Sequence, residues 1–90
     1  MPYIKNEDRE KFKYVLSEAV AVLQNNGCSE VKSGELNYVI SSMVWSLFDS
    51  KPSYTNGNML VGVLECVKQE FIRRRLNDYE NEKIKENGDI

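Results

Sequence analysis

Residues 53–76 read as one long amphipathic helix, and a segment of that length constrains what the rest of the chain can fold into. Leu60, Val63, Leu64, Val67 and Phe71 recur at steps of three and four, the spacing of a helix buried along one side. Beyond Phe71 the stripe gives way to Arg73, Arg74 and Arg75. On an ideal helical wheel Arg74 and Arg75 fall at the edges of the same apolar arc, within roughly 60° of its centre. A face that begins apolar and ends cationic predicts a helix that leaves the domain body to meet something anionic.

The length of that helix bears on assembly. Residues 53–76 would extend roughly 36 Å at 1.5 Å per residue. A compact domain of this chain's size has a diameter of roughly 30 Å. The third helix is therefore expected to protrude, bend or pack against another chain. Gly57 and Gly62 each cost about 1 kcal/mol relative to Ala in a helix interior, which suggests a bend or a close backbone approach. Self-association into a homo-oligomer is the expected resolution.

Two shorter amphipathic segments precede it. The first is expected to start after Asn6 as N-cap, with Glu7 and Asp8 in the first turn where the helix dipole favours anions. Its stripe is Phe12, Val15, Leu16, Ala19, Val22 and Leu23, and Asn25-Asn26-Gly27 is a stop signal. After a loop from Cys28 to Lys32, Ser33 is expected to cap a second helix carrying Leu36, Val39, Ile40, Met43, Val44, Leu47 and Phe48. Pro52 pushes the residue before it out of the helical region and ends that helix, leaving Ser53 to cap the third. A strand over Val39–Leu47, which is rich in β-branched residues, is disfavoured by the helical spacing and by the lack of a partner strand. Asn77-Asp78-Tyr79 looks like a break, followed by a charged tail. The expected fold is all-α: a single three-helix domain over residues 1–90, with a long third helix and residues 77–90 as a C-terminal arm.

Charge and composition narrow the function classes. The net charge is −2 and the pI about 5.1, which disfavours sequence-independent binding of polymeric nucleic acid. The charge is nevertheless uneven. Residues 68–75 hold Lys68, Arg73, Arg74 and Arg75 against Glu70, a local balance of +3. Residues 77–90 hold Asp78, Glu80, Glu82, Glu86 and Asp89 against Lys83 and Lys85, a local balance of −3. Such blocks suit salt bridging between copies, or a basic pocket for a small anion beside an acidic arm. No stretch approaches the roughly 18 apolar residues of a membrane span, and the N-terminus has no secretion signal, so no membrane partner is expected. Cys28 and Cys66 lie in no metal-ligand spacing and are expected to be reduced thiols in a cytosol.

With no histidine in the chain, His-based triads and imidazole metal sites are excluded. The carboxylates lie among Lys and Arg as on solvated helix faces, and no Gly-rich phosphate loop follows a strand. The chain is not expected to be an enzyme, and no metal or cofactor is expected. Asn37 and Tyr38 stand in the first turn of the second helix, where free N–H groups can receive an anion; local capping by Asn37 with Tyr38 half-buried is the plainer alternative. Tyr54 and Asn58 are one turn apart with Glu65 along the same side, as a pocket that stacks a base and reads its edge requires, or as a packed helix start would also give. The arginine run is either a solvated helix end or a set of guanidinium forks for phosphate.

Several blocks together carry a resemblance: Pro2-Tyr3-Ile4-Lys5 with Glu7-Asp8-Arg9, Gly34-Glu35-Leu36-Asn37-Tyr38, Gly62-Val63-Leu64-Glu65-Cys66-Val67-Lys68, Arg73-Arg74, and Glu86-Asn87-Gly88-Asp89. Spanning nearly the whole chain, they resemble a family of small proteins common in tailed phages. Small phage proteins of this sort include cyclic-nucleotide sponges, which oligomerise and sequester the signal made by bacterial CBASS or Thoeris defence. The resemblance implies binding of a cyclic dinucleotide, such as cGAMP, without hydrolysis in the host cell cytoplasm. It implies contacts from Tyr3, Arg9, Asn37, Tyr38, Tyr54, Asn58, Arg73, Arg74 and Asn87. A protein-binding module that inhibits a host protein through Met59, Val61 and Ile72 is the competing expectation.

Overall fold

The computed structural model describes residues 4–24 and 30–90. The fold is all-α, with three helices and no strand among the described residues. None of these helices is long and apolar enough to cross a membrane. The chain divides into two compact units, Met1–Met43 and Val44–Ile90.

In the first unit the N-terminal segment departs from the expected helix start. Two 3₁₀ turns, Asn6–Asp8 and Glu10–Phe12, precede helix α1, Lys13–Leu23. Asn6 makes no side-chain cap; the turns close instead through Asp8 N–H to the Lys5 carbonyl (2.9 Å) and Phe12 N–H to the Arg9 carbonyl (3.0 Å). Between Ile4 and Phe12 every residue is polar or charged, so no apolar row rewards a regular α-helix there. α1 begins where the stripe begins. The expected stop at Asn25-Asn26-Gly27 lies outside the described residues, as does Cys28. Helix α2, Ser33–Asp49, opens with Leu36 N–H on the Lys32 carbonyl (3.1 Å), so Lys32 and not Ser33 holds the cap position.

The second unit is organised by how α2 stops and the third helix starts. The last turn of α2 is closed by Ser50 N–H to the Ser46 carbonyl (3.2 Å) and by the Ser50 hydroxyl to the Leu47 carbonyl (2.9 Å). Ser53 is extended (φ −165°, ψ 159°), and its hydroxyl accepts the Asn56 N–H at 3.0 Å, the expected N-cap. The Asn56 amide then donates back to the Lys51 carbonyl at 2.7 Å, tying the new helix to the turn. Gly57 lies against the Phe48 ring, where an added Cβ would stand 3.5 Å from Cε1. The close approach expected of a glycine is thus found at Gly57, whereas Gly62 faces open space.

Helix α3 runs from Tyr54–Phe71 through a π-helical turn, Ile72–Leu76, into Asn77–Asn87. The expected break at Asn77-Asp78-Tyr79 is absent: Asn77 is helical (φ −63°, ψ −39°) and the arm continues the helix. Lys85 falls in the last turn of this continuous helix, where the dipole favours a cation. The ion pairs Lys83–Glu86 (3.2 Å) and Lys85–Glu82 (3.7 Å) add side-chain support along the arm. Gly88, at φ +83°, ends it with its N–H on the Ile84 carbonyl (2.8 Å). The uninterrupted helix spans 34 residues, about 50 Å.

Leu60 is the one buried residue among those described, at 8% exposure. Beyond it Val63, Leu64, Val67 and Phe71 are exposed, so this stripe is an apolar seam without cover in the chain as described. Replacing Ser53 with Ala should lower stability by about 1 kcal/mol through loss of the cap, read by urea unfolding. Gly62→Ala should raise it by roughly 0.5–1 kcal/mol, because nothing stands where the methyl would go.

Candidate functional site

Within the second unit, Tyr54 and Asn58 come together. Both line an open cleft of about 440 Å³ whose other walls are Phe48, Pro52, Ser53 and Gly57. The cap geometry builds it: Pro52 and extended Ser53 turn the chain, Asn56 anchors it to Lys51, and the first turn of α3 faces the Phe48 ring. Tyr54 is 93% exposed, so its ring face is free. The cleft therefore has an aromatic face, an amide from Asn58 and a largely apolar floor at the positive end of α3. Glu65 is not part of it; its carboxylate accepts the Gln69 amide at 3.0 Å and lies 3.8 Å from Lys68.

The arginines sit in the π-helical turn. Arg73 Nη2 donates to both Glu70 oxygens (3.2 and 3.0 Å), and Arg74 Nη1 lies 3.7 Å from Glu70 Oε2. Glu70 thus partly neutralises two of the three guanidinium groups. Arg75 has no ion-pair partner among the described residues. The turn also changes the wheel. Its wider i to i+5 spacing lags an α-helix by roughly one residue's rotation across the turn. Arg74 consequently lies over Glu70, away from the stripe, while Arg75 moves toward the stripe's centre.

Asn87 closes the arm, in a shallow groove with Tyr79, Lys83 and Ile84. The ammonium group of Lys83 is 5.6 Å from the centre of the Tyr79 ring. Asn58 and Arg73 are separated by about 22 Å along the helix axis, and Arg74 and Asn87 by about 20 Å. These three groups of one chain cannot surround one small ligand; a site using all of them needs more than one copy.

In the first unit, Arg9 ends the first 3₁₀ turn and is exposed. The Asn37 side-chain oxygen accepts the Ser41 hydroxyl at 2.8 Å, so it reaches along α2 and caps nothing. Tyr38 is 73% exposed and not half-buried. Tyr3 lies outside the described residues. Sequence reasoning left out Phe48 and Pro52 as cleft walls, although Pro52-Ser53 signalled the turn that brings Phe48 back onto α3.

These features describe an all-helical protein with an open aromatic cleft and a cationic helical turn. Its family model spans residues 1–90: the chain belongs to the family described as Domain of unknown function (DUF6899). Neither a curated protein nor a solved structure matches it.

Because both guanidinium groups are more than half exposed while Glu70 itself is half-buried, Glu70→Gln should cost on the order of 1 kcal/mol. The loss should shrink in high salt when urea unfolding is repeated there.

Proposed function

We propose that this chain is a phage protein that binds a cyclic nucleotide immune signal and sequesters it without hydrolysis, as a homo-oligomer in the host cell cytoplasm. The observation that carries the reading is the cleft shared by Tyr54 and Asn58 at the start of α3. A free tyrosine face stacks a nucleobase, an amide hydrogen-bonds its edge, and a helix N-terminus favours the adjoining phosphate. Its volume falls in the range of small-molecule sites, about 300–1,000 Å³. Arg73 and Arg74 would supply guanidinium forks for phosphodiester oxygens; the length of helix between them and the Tyr54 cleft supports a reading in which the forks come from a second copy. Tyr3, Arg9, Asn37, Tyr38 and Asn87 enter as further contacts on the resemblance to the tailed-phage proteins. The bound form is a dianion held between copies, and the reading calls for no general acid, base or metal.

A second reading is a module that docks on a host protein and inhibits it. It is favoured by exposed Met59 and Val61, large apolar side chains off the main stripe.

Melting temperature, recorded with cyclic dinucleotides and with cyclic ADP-ribose, separates the two. Ligand at a hundredfold excess over its dissociation constant should add about 2.7 kcal/mol of stability. The nucleotide should be recovered intact after denaturation. Tyr54→Ala should abolish the shift, and Arg74→Ala should weaken it with helix content unchanged. No shift with any cyclic nucleotide favours the protein-docking module.

A further inference from the structure

The π-helical turn does something to α3 that neither the cleft nor the arginine contacts use. Had the helix stayed regular, the row through Leu60, Leu64, Val67 and Phe71 would have run on into Arg74 or Arg75, then Asp78 and Glu82. With one residue's rotation taken up at Ile72–Leu76, the same row continues through Leu76 and Tyr79, and then Lys83. The apolar seam is thereby carried past Arg73 and Arg74 into the acidic arm, with Arg75 drawn into the row beside Leu76. Leu76 and Tyr79 are exposed, as Phe71 is, so this extended seam has no cover.

The charges beside it have a matching pattern. Within the arm, Glu82 and Glu86 are paired with Lys85 and Lys83, and Arg73 and Arg74 are held on Glu70. Nearest to Leu76, the groups without an ion-pair partner among the described residues are Arg75 on one side and Asp78 and Glu80 on the other. A cation and anions on opposite sides of one point satisfy each other when the same helix is laid antiparallel across that point. They oppose each other when it is laid parallel.

We propose that α3 pairs antiparallel with α3 of a second copy, about a two-fold axis near Leu76 and Asn77. In that register Arg75 of each copy lies level with Asp78 of the other. Phe71, Leu76 and Tyr79 of the two copies alternate along one seam, each side chain filling the gap between two of the opposite copy. Symmetry makes both ion pairs at once, whereas an unrelated partner would have to carry the complementary charges independently. The pairing rests on the self-association part of the function proposed above and not on the nucleotide.

Sedimentation equilibrium on the full chain tests it, with circular dichroism reporting helix content. The natural chain should sediment as a dimer or an assembly of dimers. Arg75→Asp should weaken association about tenfold by turning two surface ion pairs into repulsive contacts. The double variant Arg75→Asp/Asp78→Arg should recover it, because the charges are exchanged across the axis. A monomer at all concentrations, an assembly indifferent to Arg75→Asp, or a double variant no better than the single one would each overturn the pairing. Melting shifts with cyclic dinucleotides, measured on the same variants, keep the two proposals apart: a shift in a chain that does not pair this way sinks the pairing alone.

Discussion

Continuity of the backbone hydrogen bonds through Ile72–Leu76 is the constraint on which the second half of the molecule depends. Three consecutive arginines after a phenylalanine and an isoleucine could have ended the helix, and the charged arm would then have been a tail. The backbone instead widens to i to i+5 bonding for one turn and continues to Asn87. This lets a single helix carry a capped cleft, a cationic turn and an acidic arm at intervals of about 20 Å. Continuity also keeps one apolar row aligned across a change of charge sign.

The start of that helix is as closely determined as its middle. Ser53, Asn56 and Pro52 act together: proline ends α2, serine receives the first free N–H, and the asparagine amide returns to the Lys51 carbonyl. Gly57 then allows the Phe48 ring to approach the helix backbone. Such a corner leaves the ring of Tyr54 outside, because the N-terminal turn of α3 faces Phe48 with its glycine. The exposed ring and the neighbouring Asn58 amide are products of the corner's geometry. This tyrosine therefore packs against little of its own chain.

Much of this was legible in the residues. The three helical segments, the Ser53 cap, the pairing of Tyr54 with Asn58 and the presence of a long third helix follow from spacing of three and four and from the position of one proline. Local chemistry governs each of them. The 3₁₀ start before α1 was not legible, since Asn6 followed by acids has the composition of a helix start whichever helix forms. Asn77 and Asp78 have the composition of a break, yet the helix continues through them. Here they follow a π turn that had already absorbed the misalignment between the stripe and the arginines.

By itself the amino-acid sequence determined the all-helical class, the apolar row ending in cations and the opposite charges of neighbouring blocks. These depend only on residue order and the helical period. The tertiary structure decided which arginine joins the row, which two are held on Glu70, and that Phe48 and Tyr54 share a cleft. Those outcomes turn on rotation about a helix axis and on a chain reversal. A fraction of a turn moves a side chain from one face to another, and no residue-by-residue preference contains that information.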